Sequence, residues 1–543
     1  MTPRRQLVRR LVAISLCLGF TLALSAPCSA ENRPERVEWF RDAGFGMFIH
    51  WSVDSQLGSV ISHSLVGSSP DYAKRFFELL PRTFNPVRYK PDDWAVLASL
   101  AGMKYVVFTT KHHSGFCMYN TATTSYSIRT TPYEKDITAG LVSAFRTRGV
   151  APGFYFSPDD FYYQYTHGQT INRGKTMLAD QAYMDYNKAQ LRELLTNYGD
   201  IHALFFDGPP EGLKELAWQL QPNVVVTRGA MDTPEQYIPG IPMDKPWEAC
   251  LTMGTQWHYK PTNEVYKSGT ELIEILIETR AKGGNLLLNV GPKPDGELPI
   301  EQEARLREIA LWNFVNGESI YAVRPWVVTN EKNIWFTKKK GEDTVYAFLT
   351  KEHPWPLGAY KEFTLKSVRA AGDSVVSVLG QSGEVLEYST QIPRTTWKQE
   401  EDGLHIRAAR AQRLYNDKKW PNPVVLKITH ALPNMVPPEV HTIAVRYDPA
   451  RKTALLEGDL RNLGKAASVE AGFQYRILMG GGDVFEKKGE WQDVRYVARS
   501  AVGPFSMEMP ALAEGQTYQF RAVVKHPLIT LYGEEKTLHA GSR

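Results

Sequence analysis

Cysteine is scarce in this chain. There are four among 543 residues, and Cys17 and Cys28 fall within the first thirty positions. The remaining pair, Cys117 and Cys250, allows one disulfide at most, so no disulfide framework holds the fold and stability must come from buried cores. Long hydrophobic runs are equally few. The run from Leu11 to Leu24 follows Arg4, Arg5, Arg9 and Arg10 and precedes Pro27-Cys28-Ser29-Ala30, the layout of a secretory signal and too short for a comfortable membrane span. Pro27 disfavours lipid attachment at Cys28. The expectation is a signal segment over 1–30 and a secreted or periplasmic protein with no membrane span. A surplus of one charge is missing too: the leader carries four arginines and no acid, so without it the formal +4 falls to zero. Nothing in the rest favours nucleic acid or an anionic membrane as partner. Internal repeats and low-complexity tracts are absent. No Gly-x-Gly-x-x-Gly follows an early strand, which counts against an open dinucleotide-binding sheet.

What is present, from Gly46 to about Tyr321, is an alternation of short apolar runs and helical spacings. Strands are predicted at Phe45 to Ile49, Tyr105 to Thr109, Ala151 to Phe156, the run ending at Asp207, Val224 to Thr227, Trp247 to Cys250 and Asn285 to Val290. Helices are predicted at Pro91 to Ala101, Leu141 to Arg148, Ala182 to Asn197, Gly269 to Lys282 (closed by Gly283-Gly284) and Glu301 to Val315. Seven or eight such units predict an α/β fold of (β/α)₈ type over 31–325, with an open doubly wound sheet as the alternative. After Trp326 the pattern becomes short strands: Asn333 to Thr337 and Thr344 to Leu349 as a hairpin, then Ser374 to Leu379, Val385 to Ser389 and Val424 to Thr429. These predict a β-sandwich over 326–432. Pro433, Pro437 and Pro438 read as a linker with few crossing contacts, and 440–543 as a further all-β module.

Polar residues gather where the predicted strands end. The run Leu204-Phe205-Phe206 stops at Asp207-Gly208, and Pro209 and Pro210 hold off the next helix, so the carboxylate belongs to a loop at the mouth of the sheet rather than to a helix cap. His50-Trp51 closes the first strand, Lys111-His112-His113 follows the second, Ser157 and Asp159 the third and Arg228 the fifth, while Glu248 lies in the sixth. Two carboxylates in a pocket of Trp, His and Arg suit glycoside hydrolysis, one attacking or activating water and the other protonating the leaving oxygen. Histidine and arginine would bind sugar hydroxyls and an aromatic face the apolar side of the ring. A rival reading takes His50, His112 and His113 as metal ligands. It is disfavoured because neighbours on a strand face opposite ways.

Gly46-Met47-Phe48-Ile49-His50-Trp51, Lys111-His112-His113-Ser114-Gly115-Phe116, Phe205-Phe206-Asp207-Gly208 and Gly283-Gly284-Asn285-Leu286-Leu287-Leu288-Asn289-Val290-Gly291-Pro292 resemble the α-L-fucosidases of glycoside hydrolase family 29, from about Trp39 to Trp326. The resemblance implies a retaining exo-acting enzyme on terminal α-L-fucose of glycans, needing no cofactor and no metal, with Asp207 as nucleophile. It points to Glu248, in Trp247-Glu248-Ala249-Cys250 ahead of Trp257-His258-Tyr259, as acid/base. Glu264, Asp159 and Asp244 are the alternatives. His50, Trp51, His112, His113, Arg228 and Trp257 are the expected substrate contacts. The family usually has Asp where Ser114 stands and Gly where Ser52 stands, which bears on the pocket rim and leaves an α-L-galactoside as a related substrate. A carbohydrate-binding protein on a decayed barrel is the competing class. The stretch Tyr518 to Val524 with Tyr532-Gly533-Glu534-Glu535 resembles the last strands of fibronectin type III-like modules, where the Tyr makes a corner contact.

Overall fold

The computed structural model describes residues 31–541 except 175, 244, 382–393, 412–421, 480–486 and 510–511. The expected signal segment, the strand at Val385 to Ser389 and Asp244 lie outside the described residues.

Seven parallel strands, β1 (Phe45–Ile49), β2 (Tyr105–Lys111), β3 (Ala151–Phe156), β4 (Ala203–Phe206), β5 (Val225–Val226), β6 (Glu248–Thr252) and β7 (Asn285–Val290), form one sheet in the order β5-β4-β3-β2-β1-β7-β6. Among the described residues helices lie between successive strands except β5 and β6, and their starts are written in sequence. Pro91 opens the helix Pro91–Leu100 with Asp92 and Asp93 in its first turn, and Asp180 and Ser268 cap Gln181–Asn197 and Gly269–Ala281 by accepting the N–H of Tyr183 and Glu271. Side chains alternate across the sheet. Phe48, Tyr105, Val107, Tyr155, Phe205, Cys250 and Leu287 fill its concave side, while Met47, Ile49, Val106, Phe108, Leu286 and Leu288 pack outward on the helices. Gly46 is required where it stands, since a Cβ there would lie 2.5 Å from the Tyr105 ring.

The expected closed barrel is corrected in one respect. β5 and β6 are the two edges of the sheet and do not pair with each other. β5 is only two residues long, so the edge it offers is short. Instead the chain turns between Arg228 and Met231, and residues 232–236 run beside β6: Glu248 N–H donates to Asp232 O (3.1 Å), Cys250 N–H to Pro234 O (3.0 Å) and Gln236 N–H to Cys250 O (3.0 Å). A seam without backbone pairing separates this segment from β4 and β5.

Beyond the last helix of this unit, Ile300–Asn316, the chain is antiparallel β. Strand Val323–Glu331 begins a five-stranded sheet with Ile334–Lys339, Val345–Leu349, Val424–Ile428 and Val376–Val378, so a single strand crosses the border expected at 325/326. Tyr360–Leu365, Gly403–Ala409 and Thr396–Glu400 make a facing sheet, and Trp326, Phe336, Leu365, Ile406 and Leu426 fill the space between. Tyr346, Phe348 and Val425, on the other face, join the core of the helical layer, and Trp312 Nε1 donates to Pro423 O at 2.8 Å. The remainder is a three-stranded sheet (Pro438–Asp448, Thr453–Leu463, Gly503–Met509) and a second sheet in which Val469–Met479 and Thr517–Lys525 are central.

The proline linker is corrected. Ala431–Pro433 pairs with Val368–Ala370, and Pro438 opens the next strand. Contacts also cross the supposed gap. Ile529 is buried in the core of the preceding unit, and Glu535, tied to Arg476 at 3.0 Å, lies so close to Gly240 that a Cβ there would meet its Cγ at 2.7 Å. Cys117 and Cys250 are both buried and free, so the single disulfide that composition permits is not made.

Candidate active site

Asp207 stands one residue past β4, where its N–H donates to Phe156 O (3.2 Å), and Gly208 follows with φ +146°, a conformation few residues with a β-carbon adopt. The carboxylate is 18% exposed and both its oxygens are held. Tyr155 Oη donates to Oδ2 at 2.7 Å, and His113 Nε2 lies 3.3 Å from the same oxygen. Arg173 donates to Oδ1 at 3.1 Å and Arg228 at 3.3 Å. Burial alone would raise the carboxyl's pKa, but the adjacent His113 and the charges of Arg228 and Arg173 outweigh it and hold Asp207 well below the usual carboxylate range. It is ionised at neutral pH.

Three histidines converge beside it. His50 Nδ1 is 2.7 Å from Asn289 Oδ1, His112 Nδ1 is 2.8 Å from Ser62 Oγ, and His113 Nδ1 is 2.6 Å from Ser157 Oγ. In each the Nδ1 is occupied, leaving Nε2 for the mouth or, in His113, for Asp207. Burial lowers the His50 pKa to about 3 and takes His112 well below its ordinary range, so both are neutral and can donate or accept. His112 and His113 lie beyond the end of β2, not on it. The alternation that argued against their meeting therefore does not apply, and their rings stand 4.3 Å apart. Trp257 lies 4.9 Å from the His50 ring and its carbonyl accepts from Asn289 Nδ2 at 2.5 Å. His63 stands 5.4 Å from His113, ring to ring.

Two expected site residues are elsewhere. Trp51, two residues past the end of β1, points away from the mouth and is buried against Phe84, Tyr89 and Trp94. Glu248 opens β6 in register with Asn285, the first residue of β7. The carboxyl end of β6 is four residues on, about 13 Å at the rise of a strand, so Glu248 lies on the floor of the sheet, fully buried, where Tyr105 Oη donates to it at 2.5 Å. Burial pushes its pKa up to about 7, while Tyr105, Thr227 and Arg228 pull the other way. Ser52 and Ser114 are fully buried beneath the rim rather than on it.

A different acid stands at the mouth. Glu235, on the segment beside β6, accepts from Arg228 Nη2 at 2.8 Å while Nη1 of the same guanidinium holds Asp207. Its side chain is 43% exposed. Arg228 is fixed by Thr233, whose Oγ1 accepts from Nε at 3.0 Å, and by the Phe205 ring 4.4 Å beneath it. Asp159 is enclosed, accepting from Gly174 N–H at 3.2 Å with Arg173 Nε 3.6 Å away. Glu264 holds its own loop through Thr255 (N–H and Oγ1, both 2.7 Å) and Val265 N–H (2.8 Å). Tyr155, Arg173 and Glu235 carried no separate signal in the sequence reading, though Tyr155 follows from β3's alternation and Glu235 from a loop carrying Thr233-Pro234-Glu235 between two strands.

A family profile described as Alpha-L-fucosidase matches residues 25–318. The chain belongs to that family. The tissue alpha-L-fucosidase of Mus musculus is 31% identical over 402 residues, covering 66% of this chain and 86% of its own length, and the plasma alpha-L-fucosidase of Rattus norvegicus is 29% identical over 413 residues, covering 67% and 87%. Among solved structures, alpha-L-fucosidase isoenzyme 1 from Paenibacillus thiaminolyticus superposes with a TM-score of 0.59 at 28% identity, over 73% of this chain and 98% of that one. A GH29 alpha-L-fucosidase from Bacteroides thetaiotaomicron, trapped as a covalent intermediate with 2-fluoro-fucosyl fluoride, shares the fold at 22% identity, with a TM-score of 0.57 over 74% of this chain and 97% of that one. With this family the chain is a glycoside hydrolase. No helix among the described residues is long and apolar enough to cross a membrane.

Two results are expected of this α-L-fucosidase-family site. His112, His113 and Asp207 offer donor atoms within 4.8 Å of one another, but two guanidinium groups already neutralise the carboxylate and would repel a cation. Activity on an aryl α-L-fucoside should therefore survive exhaustive treatment with EDTA. Loss that zinc restores would reinstate the metal reading. Second, Arg173→Gln removes one of the charges that depress the Asp207 pKa. The acid limb of kcat/KM should move to higher pH, and a limb that stays in place would show that Arg173 does not tune Asp207.

Proposed function

We propose that the protein is an exported, retaining exo-α-L-fucosidase that removes terminal α-L-fucose from glycans by double displacement, with Asp207 as nucleophile and Glu235 as acid/base. The observation that carries the reading is one guanidinium, Arg228, joining both carboxylates at the mouth. Retention needs two carboxyl groups roughly 5 to 5.5 Å apart, a scale compatible with two acids on adjacent nitrogens of one side chain. Asp207, ionised and oriented by Tyr155 and His113, attacks the anomeric carbon and displaces the glycosidic oxygen, which takes its proton from Glu235. Glu235 then removes a proton from water as it attacks the fucosyl ester. The neutral His50 and His112 and the half-buried Trp257 are suited to the hydroxyls and apolar face of the sugar.

Export is supported by the basic, then apolar, then small-residue order of 1–30. A fibronectin type III-like reading of the terminal module is supported by its three-stranded sheet facing a larger one, and by Tyr518, whose Oη accepts from Ala513 N–H at 2.9 Å. The test of the main reading is proton NMR of the first-formed sugar during hydrolysis of an aryl α-L-fucoside. The α anomer of fucose should appear before mutarotation, and the β anomer as first product would overturn retention.

A further inference from the structure

Of the three histidines at the mouth, His50 and His113 are oriented by residues of the sheet itself, Asn289 on β7 and Ser157 just past β3. His112 is oriented by Ser62, fifty positions earlier in the chain, in an irregular stretch between the one-turn helices Val53–Gln56 and His63–Leu65. A loop is a poor anchor for a binding side chain unless something fixes it. Ser62 is fixed: its N–H donates to Asp54 Oδ2 at 2.6 Å, and Asp54 is fully buried. The serine also holds φ +57°, a region that residues with a β-carbon occupy only when their surroundings impose it.

We propose that Asp54 and Ser62 are positioning residues that set both the ring orientation and the tautomer of His112, so that its Nε2 presents a hydrogen-bond donor to the sugar. The proton bookkeeping follows from the partners. Ser62 Oγ accepts the N–H of Ser114 at 2.9 Å, and on this proposal its own proton points to His112 Nδ1 at 2.8 Å. A neutral imidazole whose Nδ1 accepts carries its proton on Nε2, and burial keeps His112 neutral. His112 lies flat on Tyr155, 5.2 Å between ring centroids and 1° between planes. Tyr155 is also the hydroxyl donor to Asp207, so a tilt of His112 would disturb the nucleophile's own partner. The carboxyl of Asp54 makes the loop's geometry from full burial, which raises its pKa against the opposing pull of His258 and the Ser62 N–H.

The inference rests on His112 being a sugar contact, as proposed above, and the experiment separates the two ideas. KM and kcat are measured on an aryl α-L-fucoside for Ser62→Ala, His112→Ala and the double variant, with Asp54→Asn and Asp54→Ala alongside. Ser62→Ala should raise KM about tenfold, the scale of one lost hydrogen bond, with a smaller change in kcat. In the His112→Ala background the same substitution should add little, since a positioning residue has nothing left to position. Asp54→Asn keeps an acceptor of the same shape for the Ser62 N–H and should retain a KM near that of the parent, while Asp54→Ala should resemble Ser62→Ala. Additive effects of Ser62→Ala and His112→Ala, or an Asp54→Ala variant with unchanged KM, would overturn the relay. A His112→Ala variant with unchanged KM would overturn the sugar contact itself. In that case ¹⁵N shifts of the His112 imidazole still report on the relay: an Nε2–H form in the parent that is lost in Ser62→Ala supports it, and an unaltered tautomer refutes it.

Discussion

Asp207→Gly is expected to lower kcat on an aryl α-L-fucoside by roughly three to six orders of magnitude, the range seen when a nucleophile that works as part of a unit is removed. The loss should be chemical rather than structural. The residue stands in a loop past β4, and the neighbouring Gly208 already supplies the unusual backbone turn. Azide should restore turnover on an activated fucoside, because the space vacated by the carboxylate lies among Tyr155, His113, Arg173 and Arg228, four groups arranged to hold an anion. The product should be β-fucosyl azide, formed by a single inversion. A variant with near-normal activity and no response to azide would remove Asp207 from the chemistry.

Glu235→Ala should behave differently, and the difference identifies its role. A general acid contributes about 10² to 10⁴ in rate where the leaving group needs a proton. Natural-like glycans and phenols of high pKa should therefore lose that much, while fucosyl fluoride or a dinitrophenyl fucoside should keep its first step nearly intact and accumulate the covalent intermediate. Glu248 supplies the control. It sits on the floor of the sheet under Tyr105, and Glu248→Gln should leave the dependence on leaving-group acidity unchanged. If Glu248→Gln steepened that dependence and Glu235→Ala did not, the assignment of the acid would be reversed.

The contrast between these two glutamates shows what the sequence made legible. Strands β1 to β4 and β7 announced themselves as apolar runs because a parallel strand is buried on both faces, and Asp207 was conspicuous as the charge that stops one. Glu248 looked equally conspicuous beside Trp247. A linear reading, however, does not tell the start of a strand from its end, and in a parallel sheet those ends are the floor and the mouth. Trp51 misled because adjacency to His50 along the chain does not put both rings in one pocket: past the end of β1 its ring turns to Phe84, Tyr89 and Trp94. Glu235 and Arg173 lie on loops, where no period marks the direction of a side chain, and only the folded chain brings them to Arg228 and Asp207. Cys117 and Cys250 looked like a potential pair because composition counts residues without placing them. The β5 edge, two residues long, gave too short a run to reveal that the sheet stops there.

That stop has a mechanical meaning. Everywhere else around the sheet, the spacing between neighbouring strands is locked by a ladder of backbone hydrogen bonds at about 4.8 Å. Asp207, the proposed nucleophile, stands on one bank of the unladdered seam and Glu235, the proposed acid/base, on the other, joined through Arg228, which grips Asp207 with one nitrogen and Glu235 and Thr233 with the others. The gap that decides whether a glycosidase keeps or inverts the anomeric centre is therefore spanned here by a side-chain strut rather than by the frame. Its stiffness is that of one guanidinium and its partners, and it changes with a single codon.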